Sequence, residues 1–410
     1  MIAEGEMAST TKESRAGAGA SQVSSRLISI DAFRGLTIVG MILVNNPGDW
    51  GAVYAPLLHA EWHGWTPTDL IFPFFLFIVG VVIPLALGGR LAGGAGRGPL
   101  LARAARRTLI LIGLGLFLSG FPFALFGPRT LERLLETWRF PGVLQRIGLC
   151  YFAASAIFIA YGRGPRDLRR LRFGLKLWIA GLLLGYWLLM TVVPVPGLES
   201  SEWGAPDLAS KSDHLAGWID RQVFGSHVWV SAKVYDPEGL LSTIPAIATT
   251  LFGVLAGLWL TAKREPLEKL SKLFVNGSLL VVLGYLWGLA FPINKALWTS
   301  SYAVFTAGIA TCALALCYWF FDLKGRRAIA RPFAIYGVNA ITVYVGSGLL
   351  AKTLGYVQIG ERSLHSVIYE GLFTSWLPPY VASLGYAIAW ILGWFAVMVW
   401  MDRRGLYLKI

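Results

Sequence analysis

The sequence predicts an all-α polytopic membrane protein, a bundle of about ten transmembrane helices with both termini in the cytoplasm. Of its 410 residues, 55% are hydrophobic and only 14% are charged, which is far from the usage of water-soluble proteins. The apolar residues recur along the whole chain in blocks of about 20, the length that a helix needs to cross a bilayer core. Most of the 36 Lys and Arg fall in the loops on one side of this arrangement, as the positive-inside rule requires.

Ten apolar segments are predicted to span the membrane, and short basic connections join them on the cytoplasmic side. The net charge of +13 is explained by these connections, so the composition does not require nucleic acid as a partner. The predicted spans are 27–46, 67–89, 106–126, 141–162, 174–195, 239–261, 272–291, 300–321, 332–354 and 381–401.

The segments outside these spans divide the chain into a tail and one membrane domain. Residues 1–25 are rich in Ser, Ala, Gly and Thr and have no apolar core, so we expect a disordered cytoplasmic tail and no signal peptide. Residues 26–410 form the transmembrane domain. Its outward loop, 196–238, is the longest stretch between spans and is long enough to cover a site.

Several functional classes lack their usual motifs. The glycine-rich run 88–98 fits neither phosphate-binding pattern and follows no strand, so a flexible linker is the better interpretation. No HExxH, CxxC or GxSxG occurs, which argues against metalloprotease, redox and serine hydrolase chemistry. The internal repeat that many transporters carry is not visible either. This weakens a transporter interpretation without excluding it.

The first predicted span carries polar residues at both ends. Asp31 and Arg34 are three residues apart and can pair on one helix face, and charges at this depth face a bundle interior or a wet cavity. They form either a structural ion pair or a place where Arg34 meets an anionic cofactor from the cytoplasm. Asn45 lies about 16 Å further along the helix, where it either caps the helix or faces a site.

The short loop after the first span contributes an imidazole and a carboxylate. His59 and His63 are four residues apart, but no third ligand stands at ligand spacing, so we predict no metal. Asp69 follows Thr66 by three residues, which resembles a capping box with Asp in place of Glu. Capping alone would explain that carboxylate.

Three of these groups come together at one membrane face: the Asn45 amide, the His59 imidazole and the Asp69 carboxylate. A histidine can transfer a proton near neutral pH, a carboxylate can hold its tautomer, and an amide can donate to a developing oxyanion. The grouping favours acyl transfer or proton abstraction.

The same residues belong to a longer resemblance. It rests on Arg-Leu-Ile-Ser-Ile-Asp-Ala-Phe-Arg-Gly (26–35), Leu-Val-Asn-Asn-Pro-Gly (43–48), the run 59–80, and the segments 138–148, 235–244, 292–302 and 337–346, in this order. The chain resembles the lysosomal heparan-α-glucosaminide N-acetyltransferase family and its bacterial membrane relatives. The resemblance implies a transmembrane acetyltransferase that takes acetyl-CoA from the cytoplasm and acetylates an amino sugar on the far side.

Roles for individual residues follow from this resemblance. His59 would be the active histidine, Asn45 its catalytic partner and Asp69 a nearby group that orients it. The distance from Arg34 to Asn45 is about the reach of an extended phosphopantetheine arm, so the cofactor could lie along the first span. Arg107 could then meet its phosphates, although a lipid-facing role under the positive-inside rule is the alternative.

On the acceptor side, four further residues are candidates. Asp236 and Glu238 could bind an ammonium or sugar hydroxyls, and Trp298 could stack on a sugar ring. Asp236-Pro237-Glu238 is equally a good helix start with Asp as the N-cap. Arg146 is expected to face the interior and to take part in function, because a lone Arg inside a span must avoid lipid.

The resemblance also sets expectations for the setting of the enzyme. The luminal domain and extra span that precede the motif in the animal enzyme would be absent, since only residues 1–25 come before it. His63 stands where the relatives usually have a smaller amide residue, so we expect a different acceptor preference near the site. In a bacterial inner membrane, glucosamine or a cell-wall fragment is a more suitable acceptor than heparan. A homodimer is compatible with the sequence. The alternatives are a transporter or flippase of an amino sugar or cell-wall intermediate, and an inactive relative that serves as an assembly partner.

Overall fold

The computed structural model describes residues 27–123, 131–162, 168–198 and 207–408. The predicted tail 1–25 and residues 199–206 of the outward loop lie outside these residues. Within them the regular secondary structure is helical apart from one hairpin of two short strands, β1 Gln358–Ile359 and β2 Arg362–Ser363. The all-α fold class is therefore confirmed.

The helices follow one another through short connections. Their bounds are α1 Ile28–Asn45, α2 Ile71–Ala92, α3 Arg97–Gly120, α4 Leu131–Thr137, α5 Val143–Tyr161, α6 Leu168–Val192, α7 Leu215–Phe224, α8 Thr243–Leu260, α9 Pro266–Trp287, α10 Ser300–Cys317, α11 Arg327–Val338, α12 Ala340–Tyr356, α13 Leu364–Tyr369 and α14 Pro379–Arg403. A 3₁₀ turn, Pro67–Leu70, precedes α2, and a π-helical turn, Tyr318–Leu323, extends α10.

Eight helices among the described residues are long and apolar enough to cross a membrane, and the bent pair of α11 and α12 makes a ninth candidate. Helix α3 is also long, but Arg97, Arg103, Arg106 and Arg107 occupy its first half. A helix stands at each of the ten predicted spans. The number of spans that cross the bilayer stays a prediction.

Two predicted spans differ from the helices that are observed. Helix α3 begins earlier than the span predicted at 106–126: it starts at Arg97, because arginine is a good helix former. The helix ends at Gly120, just before Phe121-Pro122, since the residue before a proline disfavours the helical conformation. The span predicted at 332–354 stays a candidate span, but it is not one straight helix. It is two helices bent by 67°.

The bend between α11 and α12 lies at Asn339, whose backbone leaves the helical region. Its side-chain amide donates to the Leu406 carbonyl oxygen at 3.3 Å, and its side-chain oxygen accepts from the Leu408 amide at 3.2 Å. The C-terminal tail thus satisfies both polar groups of the Asn339 side chain, which is 1% exposed and so requires partners.

Helices α2 and α8 approach each other closely through glycines. A Cβ added to Gly80 would lie 1.9 Å from the Thr250 carbonyl oxygen, and one added to Gly253 would lie 2.0 Å from the Phe77 carbonyl oxygen. Small residues permit this backbone approach in membrane helix bundles. These contacts fix α2 against α8 in the bundle.

Helix α7 lies in the outward loop and begins at a buried histidine. His214 Nδ1 accepts a hydrogen bond from the Gly217 amide at 2.9 Å and so caps the helix. Burial lowers the pKa of His214 from 6.5 to about 4, since the charged form would lose its hydration. The folded protein therefore holds this imidazole neutral.

This cap predicts an acid-sensitive stability. Between pH 6.5 and about pH 4, His214 is protonated in the unfolded chain but neutral in the folded chain. The free energy of unfolding should therefore fall by about 3 kcal/mol as the pH drops through this range. His214→Asn keeps a cap acceptor that does not titrate, so the native protein should lose more stability than this variant in thermal unfolding between pH 7 and pH 4. Equal losses would contradict the prediction.

Candidate active site

The centre of the site is a histidine paired with a buried carboxylate. His59 Nδ1 lies 2.7 Å from Asp69 Oδ1, and the Asp69 side chain is only 1% exposed, whereas that of His59 is 49% exposed. Because a carboxylate only accepts, Nδ1–H is the donor in this bond, and in the neutral imidazole Nε2 then carries the lone pair. The pair can present a base or nucleophile in a defined orientation.

The second oxygen of Asp69 organises the loop that carries His59. Oδ2 accepts from the Thr66 amide at 2.9 Å, from the Ala60 amide at 3.0 Å and from Thr66 Oγ1 at 3.2 Å. The capping box predicted from the sequence is therefore confirmed. Asp69 caps the turn with one oxygen and binds the imidazole with the other, so the helix start positions His59.

A lysine that the sequence analysis did not single out completes this cluster. Lys295 Nζ lies 3.0 Å from both ring nitrogens of His59 and 3.7 Å from Asp69 Oδ1. Burial lowers the pKa of Lys295, and the charges of Asp69 and Glu238 oppose this. A signal was present in the sequence, since Lys295 stands in a predicted outward loop, against the positive-inside rule.

These groups line a cavity of about 560 Å³, the histidine cavity, at the C-terminal end of α1. Asn45 is exposed in its wall. The neighbouring Asn46 caps α1 instead, since its amide donates to the Ile42 carbonyl oxygen at 2.9 Å. The structure thus leaves the Asn45 amide at the cavity. The polar side chains of the lining include Asn45, His59, Glu61, Asp69, Arg139, Lys211, Glu238 and Lys295.

A buried ion-pair cluster forms another wall of the cavity. Arg139 donates to Asp236 through Nε at 2.8 Å and Nη2 at 2.5 Å, and Nη2 also donates to Glu238. Burial alone would lower the pKa of Arg139, but the charges of Glu238 and Asp236 raise it well above its usual value. Of the two carboxylates, Glu238 lines the cavity and Asp236 does not.

The expectation that Asp236 begins a helix is wrong, because α8 starts only at Thr243. Asp236 Oδ1 accepts from the Glu238 amide and Oδ2 from the Trp229 amide, both at 2.9 Å. With Arg139 these bonds occupy the carboxylate, which is 2% exposed. Asp236 therefore stabilises the conformation of its loop, and Glu238 is the acidic residue that a ligand in the cavity can reach.

Removal of the Arg139 guanidinium should lower the free energy of unfolding. Arg139→Met would leave the buried Asp236 carboxylate without its cation, and breaking such a buried pair costs about 3 kcal/mol or more. Arg362→Met is the control, because Arg362 and Glu370 form an exposed pair at 2.8 Å worth less than about 1 kcal/mol. Thermal unfolding of both variants in detergent measures the difference. Equal effects would contradict a structural role for the Arg139 cluster.

Arg146 faces the interior as expected, and it is 1% exposed. It donates to the Gly239 carbonyl oxygen at 3.0 Å and to Ser242 Oγ at 2.5 Å, and lies over the Trp298 ring at 5.3 Å. Trp298 is also 1% exposed and donates to Thr249 Oγ1. This position contradicts the expected stacking of Trp298 on a sugar. Neither residue is part of the histidine cavity lining.

A second cavity of about 1060 Å³, the arginine cavity, lies at the N-terminal end of α1. Arg34 lines it together with Asp31, and their charged groups are 3.8 Å apart. Lys263 and Lys269 add positive charge to the same wall. Arg107 is not part of the lining, since it stacks on the Tyr151 ring at 4.7 Å, so the expectation that it faces a cofactor is not supported.

The two cavities share the helices α1, α2 and α5. On α1 the arginine cavity ends at Arg34 and the histidine cavity begins at Thr37, which is about 5 Å along the helix axis. Buried side chains of α2, among them Leu76, Ile78 and Val81, lie at the level between them.

Parts of this sequence are similar to known proteins. Residues 26–191 match the family model described as heparan-alpha-glucosaminide N-acetyltransferase, catalytic. The heparan-alpha-glucosaminide N-acetyltransferase of Homo sapiens is 31% identical over 366 residues, which are 80% of this chain and 53% of the human protein. Residues 26–191 of this chain are therefore similar to the catalytic segment of this family. The enzyme of the same name from Mus musculus is 31% identical over 367 residues, 80% of this chain and 54% of its own.

This chain spans about half the length of these N-acetyltransferases. Asn45, His59 and Asp69 fall inside the segment matched to the catalytic family model. Glu238 and Lys295, which complete the histidine cavity, lie beyond it. The site is thus assembled from the family segment and from loops later in the chain.

Proposed function

We propose that the protein is a transmembrane acetyltransferase that moves an acetyl group from acetyl-CoA to the amine of an amino sugar such as glucosamine. The observation that carries this proposal is the His59–Asp69 pair at 2.7 Å in the wall of a cavity that Asn45 and Glu238 also line. The similarity to known proteins supports it, since the curated relatives are named N-acetyltransferases.

His59 is the proton acceptor in this mechanism. With Nδ1–H donated to Asp69, Nε2 removes a proton from the acceptor amine as the amine attacks the thioester carbonyl carbon. The imidazolium then returns the proton to the leaving thiolate. Alternatively, Nε2 takes the acetyl group itself and passes it to the amine. Both routes use the orientation that Asp69 imposes.

Asn45 and Glu238 act on the two substrates. The Asn45 amide donates to the carbonyl oxygen, where negative charge develops during attack. Burial would raise the pKa of Glu238, but the positive charges of Arg139, Arg146 and Lys295 outweigh it and lower that pKa. The ionised Glu238 can therefore accept hydrogen bonds from the ammonium or hydroxyl groups of the sugar, while Arg139 holds one of its oxygens.

The arginine cavity is suited to the donor. Its cations, Arg34, Lys263 and Lys269, can neutralise the phosphates of acetyl-CoA, and the pantetheine arm can follow α1 toward His59. We assign this cavity and both termini to the cytoplasmic face of a bacterial inner membrane, since basic residues gather there. The histidine cavity then opens on the opposite face.

The test is an acetylation assay with protein purified in detergent. Acetyl-labelled CoA and glucosamine are supplied, and labelled N-acetylglucosamine is scored against a reaction without protein. Product formation supports the proposal. No product from a preparation that binds CoA points to another amine acceptor. A preparation that does not bind CoA at all would overturn the acetyltransferase and favour a transporter or flippase.

A further inference from the structure

An amine of the protein itself occupies the position that the proposed acceptor needs. The acceptor nitrogen has to come within hydrogen-bond distance of His59 Nε2, which is to remove its proton. Lys295 Nζ already lies 3.0 Å from Nε2 and lines the same cavity. A primary amine beside the base, in a cavity built for acyl transfer, is a nucleophile held in position.

The surroundings of Lys295 resemble those required for an amino-sugar nitrogen. Its Nζ is 3.7 Å from Asp69 Oδ1, and the charge of Glu238 also acts on it. Burial lowers the Lys295 pKa, which increases the share of neutral amine, the form that attacks a carbonyl carbon. The chain thus places its own amine near the carboxylates of Asp69 and Glu238, beside the base that we assign to the acceptor nitrogen.

We propose that Lys295 is an internal acceptor, and that the site acetylates its ε-amine when acetyl-CoA is present and the sugar is not. This inference rests on the proposed function. In the step, the Lys295 nitrogen attacks the thioester carbonyl carbon, the carbon–sulfur bond breaks, and an amide bond forms. The amine proton passes to His59 Nε2 and then to the CoA thiolate, so the products are N-acetyl-lysine and CoA.

Acetylation of Lys295 would inactivate the enzyme. The amide carries no charge and no longer balances Asp69, and the added acetyl group fills space beside His59. Activity should therefore decline with time when the protein is kept with acetyl-CoA alone, and the amino sugar should protect it by taking the acetyl group first.

The chain offers a matched control lysine in the same cavity. Lys211 lines the histidine cavity too, but its Nζ lies over the Trp62 ring at 5.9 Å. It can meet the same donor without the help of His59. A difference between the two lysines therefore reports on proximity to the base and not on access of acetyl-CoA.

The experiment incubates the purified chain with acetyl-CoA, without sugar, and follows both lysines by peptide mass spectrometry. We expect Lys295 to be acetylated about 100-fold faster than Lys211, the typical gain from a positioned general base. His59→Ala should reduce the rate at Lys295 to that at Lys211, and glucosamine should slow it. Equal rates at the two lysines, or a rate unaffected by His59→Ala, would overturn the inference.

Two further outcomes separate this inference from the function on which it rests. If the protein acetylates glucosamine while Lys295 stays unmodified without the sugar, the inference is wrong and the proposed function stands. If a preparation that binds CoA gives neither product, the inference is wrong and glucosamine is not the acceptor. Lys295→Arg keeps the charge and removes the acceptor amine. Whatever activity this variant has at the start, that activity should not decay during incubation with acetyl-CoA. Decay in this variant would assign the inactivation to another residue.

Discussion

His59→Ala should lower the rate of acetyl transfer to glucosamine by about 10²- to 10⁴-fold at saturating substrates, the contribution of a positioned general base. The variant keeps Asp69 and its bonds to Thr66 and Ala60, so the loop should hold its shape while the cavity loses its only histidine among the described lining residues. Formation of labelled N-acetylglucosamine measures the loss, and retained CoA binding shows that the variant is folded.

His63→Ala is the matched control for this substitution. His63 lies four residues further along the same loop, outside the described cavity lining, with Nδ1 3.3 Å from the Asn294 amide nitrogen. Its removal should leave the rate within a few-fold of the native value. Equal losses in both variants would indicate that the loop has collapsed, and activity in His59→Ala would refute the assignment of the base.

Asn45→Ala should lower kcat by about 10²- to 10³-fold, the typical cost of removing one donor to a developing oxyanion. The thioester carbonyl oxygen gains negative charge only as the amine attacks, so the loss should fall on kcat and leave KM for acetyl-CoA nearly unchanged. Steady-state kinetics with labelled acetyl-CoA separate the two parameters.

Asn46 provides the control, because it is the same residue type one position later. It donates to the Ile42 carbonyl oxygen at the end of α1 and is not part of the described cavity lining. Asn46→Ala should therefore lower the free energy of unfolding by about 1 kcal/mol and leave kcat close to native. If kcat fell in Asn46→Ala and not in Asn45→Ala, the roles of the two amides would be reversed.

Much of the site could be predicted from the sequence because its first half is local. Asn45, His59 and Asp69 are separated by one helix end and one short loop, and a capping box ties that loop to the start of α2. Both interpretations of Asp69 hold, since its two oxygens serve the cap and the imidazole separately. Their roles in catalysis are predictions that the variants above test.

The other half of the site depends on contacts between distant parts of the chain. Lys295 is 236 residues from His59, and Arg139 is 97 residues from Asp236. The propensities around Asp236 favour a helix N-cap, but its ion pair with Arg139 decides its conformation instead. The sequence suggested that the Trp298 ring stacks on a sugar, but this ring packs under Arg146 and is buried.

By itself, the sequence determined the membrane class, the approximate positions of the long apolar helices and the Asn–His–Asp grouping. The length of an apolar segment and the hydrogen bonds of a helix cap depend only on residues that are close together in the sequence, so they can be predicted without the tertiary structure. Only the tertiary structure decided the bend at Asn339, the lysine beside His59, and which carboxylate a ligand can reach. These depend on which buried charge or amide finds a partner across the bundle, because burying a polar group costs free energy that a partner from another helix must offset.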